Sequence, residues 1–516
     1  MQTTSQSYSP FSHTRLIDLI VRFELLDVNA REKAVPTVSG KENVSQLTQL
    51  TDAVEEMSGK YATLEDDCWA LDGTMDLLPD SLSSVQTGWW SNVLSGADCS
   101  FVAPPTLSFS FGGTAISTIG FTLCFDGKTD NYATSVRATC YASNGSTIIK
   151  QQTFSNANAK CVIDMPVQNY YSVKFELLKT SLPYRRIRLA ECLFGIVQTF
   201  DHRSLEDIDL TYSADIMAES FPSRQLVFKF NNLDKKYNLV NPSGLYAYLQ
   251  QGQDIHVKTT VNGEAVYMGE FEFMKAVGAD DEITGQITAN DYVLSVLDSP
   301  VFNGGANATD TLQNVVTAVL SGTGITVSMA TPSYTVSKAI PKGTTKREAI
   351  RYLAQAAMCS VWVDRAGVLQ IRPLTVSGTA NDYLDGDRMP SMAGISISEP
   401  VEKVTLRVRN EFTTNLNGEF TTTETQYTAG SGTKEKSFEN PCVAAANGQA
   451  VANWLLAQCN RRVNYDKPNR GNPAVEIGDT LKIYDAYGEN RNAVVTTQEF
   501  SYGDKEFSAR TKGVGP

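Results

Sequence analysis

Residues 116–142 read ISTIGFTLCFDGKTDNYATSVRATCYA. Two runs rich in β-branched and aromatic residues, Ile116–Phe125 and Val136–Ala142, follow one another with the turn dipeptide Asp126-Gly127 between them. That order is the signature of antiparallel strands joined by short connections. The same texture extends outward through Leu107–Phe111, Tyr170–Leu178 and Ile187–Phe194, with another turn signal at Asn144-Gly145. Strands at this spacing predict a β-sandwich over residues 61–197.

Upstream, Thr14–Val28 reads as one strand within residues 14–35, and the polar stretch 36–60 as a linker. Val44, Leu47, Leu50 and Val54 lie at helical spacing inside that stretch. Downstream, 200–297 forms a second β-rich block, with runs at Leu226–Phe230, Ile255–Thr260, Val266–Phe273 and Ile283–Thr288. Asn262-Gly263 is a hairpin turn signal within it.

Residues 305–378 differ. Leu312, Val315, Val316, Val319 and Leu320 follow the i, i+3, i+4, i+7, i+8 pattern of an amphipathic helix. Thr345 and Glu348 match a capping box opening a second helix, whose inner face is Ile350, Leu353, Ala354, Ala357 and Met358. A hairpin follows, Val361–Val363 and Val368–Ile371, turning at Arg365-Ala366-Gly367. The last block, 395–513, has strands near Val401–Val408 and a helix starting at Asn440-Pro441, with Val451, Trp454 and Leu455 facing its core. Its β-rich end comprises Leu481–Tyr484, Val494–Phe500 and Glu506–Thr511, with a tight turn near Tyr502-Gly503-Asp504. The chain is therefore expected to be mainly β and multidomain, with an α+β middle.

Composition narrows the function. A chain of 516 residues has room for three to four domains, and its net charge of −13 argues against a protein built to coat nucleic acid. Only His13, His202 and His256 are present, far apart, so no triad or multi-histidine metal site is expected. The nine cysteines include no CxxC pair, and Cys124 and Cys140 sit in strand text, which favours free buried thiols. The start of the sequence lacks the order of a signal peptide, and no run reaches the ~18 apolar residues of a membrane span. There is no HExxH, GxSxG, P-loop or calcium-loop pattern. Gly343-Thr344-Thr345-Lys346 lacks the upstream glycine of a phosphate loop. The carboxylate runs Glu65-Asp66-Asp67 and Asp280-Asp281-Glu282 suit either solvated turns or, if held across a cleft, glycoside hydrolysis. The expectation is a non-enzyme with no catalytic residue, metal or cofactor.

Two segments carry a resemblance. Ala70-Leu71-Asp72-Gly73, Gly88-Trp89-Trp90-Ser91, Pro104-Pro105 and Arg185-Arg186-Ile187-Arg188-Leu189 before Phe194-Gly195 resemble, in order and spacing, a discoidin-like (galactose-binding-like) sandwich. Residues 14–35 and about 200–513 resemble phage tail hub or tail-tip (baseplate hub) proteins, especially those of viruses infecting Gram-positive bacteria. The carrying text is Phe221-Pro222-Ser223-Arg224-Gln225-Leu226, Asn231-Asn232-Leu233-Asp234, Gly252-Gln253-Asp254-Ile255, Lys346-Arg347-Glu348-Ala349-Ile350, Val363-Asp364-Arg365-Ala366-Gly367 and Asn472-Pro473-Ala474-Val475-Glu476-Ile477-Gly478-Asp479.

That resemblance implies two small hub β-barrels, 200–297 completed by the strand in 14–35, and 395–513, with the sandwich inserted between the first strand and its barrel. An insertion of that size is tolerable because loop-closure cost grows only logarithmically. It further implies a homotrimeric virion structural protein, made in the host cytoplasm, that adapts the tail tube to distal tail or baseplate proteins. For a sandwich of this type the implied ligand is a host cell-surface glycan, bound by loops at one end. Candidate contacts are Asp126, Asp130, Asn131 and Tyr132, with Trp89 and Trp90 large enough to stack on a sugar. Core packing for the tryptophans and turn chemistry for the Asp/Asn group are the competing assignments. A free carbohydrate-binding adhesin and a glycan-degrading enzyme are the alternative functions.

Overall fold

A mainly alternating order of inward and outward residues in Leu205–Ser213, Gln225–Asn231, Thr284–Asn290 and Glu506–Val514 lets each strand bury one face and turn the other outward. The computed structural model describes residues 1–61, 63, 65, 72–77, 81–238, 241, 244–277, 283–301, 308–390, 394–413, 420–484, 490–503 and 506–515. Asp66, Asp67, Cys68, Ala70, Leu71, Asp280, Asp281, Glu282 and Asp504 lie outside the described residues. The chain divides into two compact units: Met1–Val21, Phe200–Asp234 and Ile255–Pro516 form one, and Arg22–Thr199 with Lys235–Asp254 the other.

The second unit contains the sandwich. One antiparallel sheet runs Val35–Val38, Thr106–Ser110, Ser172–Thr180, Ala133–Tyr141, Ile148–Ser155. The other runs Trp89–Trp90, Arg188–Leu193, Ile116–Phe125, Lys160–Tyr170. Their facing sides close on a core that includes Phe109, Phe111, Phe121, Tyr170, Phe175 and Phe194, with edge-on ring pairs 5.0 to 5.8 Å apart. Offset and edge-on contacts of this kind favour the π quadrupoles and add to simple area burial. Residues 36–60, expected as a linker, take part in this fold. Val35–Val38 pairs with Thr106–Ser110, and Leu50, on the short 3-10 turn Leu47–Thr51, is fully buried in the core. Of the four residues read at helical spacing only Leu50 is buried and Val54 is exposed, so the expected helix is one 3-10 turn, and the sandwich starts upstream of residue 61.

In the first unit one long sheet passes from Ile17–Leu26 through Asp254–Val261, Glu264–Val277, Thr284–Asn290, Gln225–Asn231, Leu205–Ser213, Asn490–Gly503, Glu506–Val514 and Val463–Asn469 to Gly394–Ile397. Thr480–Tyr484 and Asp382–Leu384 branch from Asn490–Gly503. The two expected β modules are therefore joined by hydrogen bonds where Leu205–Ser213 pairs with Asn490–Gly503, register Leu210 to Phe500. The turn Asn262-Gly263 has φ of 51° and 87°, the left-handed pair that a two-residue hairpin loop requires.

The middle region follows its sequence pattern. Helix Leu312–Leu320 buries all five residues of its apolar stripe, and Thr345 Oγ1 accepts the Glu348 N–H at 3.2 Å to open helix Lys346–Ala356. Beyond it the boundaries differ from expectation. Lys403–Thr413, Phe420–Gly430 and Glu435–Glu439 make a separate three-stranded sheet. That sheet and helix Gly448–Cys459 share one apolar core with the two middle helices, through Val404, Leu406, Val451 and Leu455. So 403–459 packs with the middle region, and the second β module is left with the strands on either side of it. The last helix begins at Gly448 rather than Asn440. Asn440 Oδ1 instead accepts the Cys442 N–H at 2.8 Å, a local turn, while its Nδ2 donates to the Tyr352 carbonyl at 2.9 Å.

Two buried arginines dock the Ser360–Val363/Leu369–Arg372 hairpin on the long sheet. Arg365 donates to the Val475 carbonyl at 2.6 Å, and its guanidinium lies 5.0 Å from the Tyr212 ring and 5.3 Å from that of Phe500. Arg224 pairs with buried Asp291 and donates to the Asp364 carbonyl at 2.7 Å. Guanidinium suits this role because it offers several donors in a plane while remaining weakly hydrated.

Candidate functional site

Connections at one end of the sandwich are tied to each other by hydrogen bonds. Ser95 Oγ accepts from Thr180 Oγ1 at 2.8 Å and from the Arg185 N–H at 3.0 Å. Ser181 Oγ donates to the Asp130 carbonyl at 2.7 Å and accepts the Tyr132 N–H at 3.2 Å. The segments around 93–103, 126–132 and 180–187 therefore form one surface. Three non-glycine residues on it, Cys99, Asp130 and Tyr184, have φ of 65°, 52° and 55°. Left-handed backbone at such residues costs ~1–3 kcal/mol each and persists only where surrounding contacts impose it.

Beneath this surface lies a buried charge cluster. Arg188 pairs with Glu65 and, at 3.3 Å, with Asp126, donates to Thr63 Oγ1 at 3.1 Å, and covers the Trp90 ring at 4.2 Å. Asp126 also accepts the Lys128 N–H at 3.1 Å and the Thr129 hydroxyl at 2.6 Å. Its carboxylate is thus spent on shaping its own turn. Asn131 is fully buried, and neither its Oδ1 nor its Nδ2 has a hydrogen-bond partner, an unusual cost for an interior amide. Trp89 is also fully buried, with Nε1 donating to the Gly40 carbonyl at 3.0 Å, and buried Trp90 donates to the Thr87 carbonyl at 2.8 Å. Neither indole face reaches solvent. Of the six candidates, Asp130 is exposed and Tyr132 half-buried against the core, while Asp126, Asn131, Trp89 and Trp90 lie inside.

The sequence reading passed over the residues that do project here. Tyr184 is 43% exposed, Leu182 is exposed beside it, and Val102 stands clear of the fold at 108% of its reference area. Val93, Leu94, Phe101 and Val102 wall a groove of about 570 Å³ whose floor includes Ser95, Asp98 and Ser100. The available signal was Ser181-Leu182-Pro183-Tyr184, an aromatic in a proline-containing connection between strands.

A different buried carboxyl lies under the turn Leu47–Thr51. Glu191 accepts the N–H groups of Asp52 and Ala53 through Oε2, both at 3.1 Å, while Oε1 has no partner. Burial raises its pKa from 4.5 to about 8. Burial likewise pushes the Cys124, Cys140 and Cys161 thiols up to about 12 and Cys359 to about 11, so these groups are poor nucleophiles. Among the described residues no cluster of three His, Cys, Asp or Glu is placed to hold a metal, and no helix is long and apolar enough to cross a membrane. Glu65 of the first carboxylate run is occupied by Arg188 and the Arg186 N–H.

No protein-family profile matches the sequence, and no curated protein sequence matches it. Solved structures do. The chain is similar to the 43 kDa tail protein of prophage MuSo2 from Shewanella oneidensis, at 18% identity over 62% of this chain and 96% of that one, with a TM-score of 0.44. It is similar to a tail protein from Neisseria meningitidis MC58, at 12% identity over 61% and 93% of the respective chains, TM-score 0.44. It is also similar to the family 32 carbohydrate-binding module of NanJ from C. perfringens, solved with galactose, at 12% identity over 34% of this chain and 99% of that one, TM-score 0.22.

Proposed function

We propose that this chain is a structural component of a phage-type tail tip or baseplate. In this reading three copies form a hub ring between the tail tube and the distal tail proteins, and the inserted sandwich offers its loop end to a cell-surface glycan. The observation that carries the ring is the wet face of the long sheet. Through six successive strands, from Thr284–Asn290 to Val463–Asn469, the outward positions are mostly polar and partly or fully exposed, with Val227 and Pro468 as exceptions, while Ile208, Leu210, Phe228, Phe230, Phe500 and Phe507 fill the opposite side.

On that face Lys229 pairs with Asp207 at 3.2 Å, Arg510 with Asp466 at 2.7 Å and Lys512 with Glu499 at 2.7 Å, and Asp209 accepts the Ser501 hydroxyl at 2.7 Å. Each of these cations is already matched, so a passing polyanion finds no excess positive charge to hold it. Such a face suits a water-filled passage. Assembly in a virion, with synthesis in the host cytoplasm, belongs to the same reading, as does the absence of catalytic work.

Mass photometry of the full chain tests the ring: a discrete trimer is expected, and a monomer at all concentrations overturns it. The glycan half is tested separately on a glycan array. Tyr184→Ala is expected to abolish binding while leaving the melting temperature unchanged, and unchanged binding removes this end of the sandwich as the glycan site. A monomer that still binds glycan would instead support the free adhesin, which the exposed Tyr184 end also accommodates.

A further inference from the structure

Residues 2–15 belong to no helix or strand, and of them only Pro10 is buried. A polar segment of that kind is ordinarily left loose in solvent unless something ties it down. Here it is tied along its length, and to both β modules of the first unit. Gln2 already bridges them: its N–H donates to the Ala474 carbonyl of the second module at 2.9 Å, and its Nε2 to the Tyr267 carbonyl of the first at 2.6 Å.

The first module holds the segment at and beside its Asn262-Gly263 turn. The Ser5 N–H donates to one Glu264 oxygen at 2.6 Å and the Ser5 hydroxyl to the other. Asn262 Nδ2 donates to the Ser9 carbonyl at 3.3 Å, and its Oδ1 accepts the Leu16 N–H at 2.9 Å. The second module holds it through a chain of polar groups. Tyr8 donates to Asn472 Oδ1 at 2.8 Å, Asn472 Nδ2 donates to Asp382 at 2.7 Å, and Asp382 pairs with Arg388 at 2.8 Å. The Arg388 guanidinium then lies 4.1 Å from the Phe11 ring and 3.5 Å from that of Tyr383. Arg15 donates to the carbonyls of Arg470, Gly471 and Phe507, the last at 2.8 Å, and Arg470 donates back to those of Phe11 and Ser12 at 3.2 and 3.3 Å.

None of these partners lies on Leu205–Ser213 or Asn490–Gly503, the two strands whose ladder joins the modules. A single ladder leaves two bodies free to hinge about it, and a second fastening away from that line removes the freedom. Each bond here is directional and close to water, so each is weak alone. Made together along one short segment, they form a unit that opens as a whole. We infer that residues 2–15 are a clasp: the segment docks on both modules at once, opens and closes as one element, and holds the modules at a single angle. This does not depend on the ring reading, because every contact it uses lies within one copy of the chain.

Trypsin reads the clasp on the full-length protein at neutral pH. Arg15 is the only lysine or arginine among residues 1–15. With its side chain held by three carbonyls of the second module, the bond after it is cut only from the open state, at a rate that follows the open population. Glu264→Ala removes an anchor on the other module, and it is expected to speed release of the fragment ending at Arg15 by about tenfold. Phe11→Ala should do the same from the second-module end. Ser5→Pro, which removes the N–H and the hydroxyl that Glu264 accepts, repeats the Glu264 test without touching a strand, so a folding defect in Glu264→Ala leaves the question answerable. In all three variants the amides of the Leu205–Ser213/Asn490–Gly503 ladder should exchange faster with deuterium, because that ladder then joins the modules alone. Cleavage that stays at the wild-type rate in both Glu264→Ala and Ser5→Pro would mean a string of independent contacts and would overturn the clasp. A wild-type chain cut after Arg15 as fast as the heat-unfolded protein overturns it as well. Faster cleavage with unchanged ladder exchange overturns the bracing of one module against the other.

Discussion

The sandwich and the long sheet handle charge in opposite ways. In the sandwich Arg188, Glu65 and Asp126 are sealed under a tryptophan, and Glu191 sits buried with one oxygen unpaired. On the long sheet the pairs Lys229–Asp207, Arg510–Asp466 and Lys512–Glu499 stand in water across neighbouring strands. Buried pairs are fixed in place because losing one partner strands the other without solvent, whereas exposed pairs are screened and exchangeable. The contrast divides the labour: the sandwich uses ions to set loop shape, and the sheet uses them to neutralise a surface.

The sharpest way to break this comparison is Arg188→Ala. It should destabilise the sandwich by ~3–5 kcal/mol, as removal of one partner from a buried pair does. Denaturant unfolding followed by the fluorescence of Trp90, which Arg188 covers, would register it; a loss below about 1 kcal/mol would place the cluster with ordinary surface pairs.

Glu191→Gln comes next and has a pH signature. Because burial raises the folded-state pKa to about 8 from an ordinary 4.5, the protonated carboxyl is the form the fold prefers. Its stabilising contribution is complete below the unfolded value and is lost as pH rises through the folded one. The variant should therefore melt close to wild type at pH 4 and increasingly above it towards pH 9, in paired calorimetry scans. A constant difference across that range would show that Glu191 does not titrate there. The smallest effect is expected from Arg510→Ala on the wet face, which should leave the unfolding midpoint unchanged within error. A measurable shift would mean the sheet's exposed pairs act as a network.

How much was legible beforehand depended on how local the cause was. The Leu312–Leu320 stripe, the Thr345 cap and the Asn262-Gly263 turn are written within a few residues and came out as read. Val35–Val38 was missed because it is short, contains Pro36 and finds its partner strand some seventy residues later at Thr106–Ser110. Residues 403–459 were assigned to the second β module because they adjoin it in sequence, but their apolar faces match the middle helices. For the candidate site, Trp89 and Trp90 show how composition misleads: an indole large enough to stack on a sugar is also well suited to fill a core. Tyr184 escaped notice because its exposure depends on a left-handed backbone turn that no residue type announces.

The placement of Ile17–Leu26 also has a consequence in time. The strand's sheet neighbour, Asp254–Val261, is encoded roughly 230 residues later. At ribosomal rates of about 5–20 residues per second, that interval lasts roughly 10 to 50 s. In its last part, after residue 200, the strand has left the ribosome with the Asp254–Val261 side of its ladder still unmade, while the intervening sandwich already has its own strands. The window for wrong pairing is thus set by translation speed, and slowing synthesis between residues 200 and 254 would lengthen the interval in which this strand is vulnerable to aggregation.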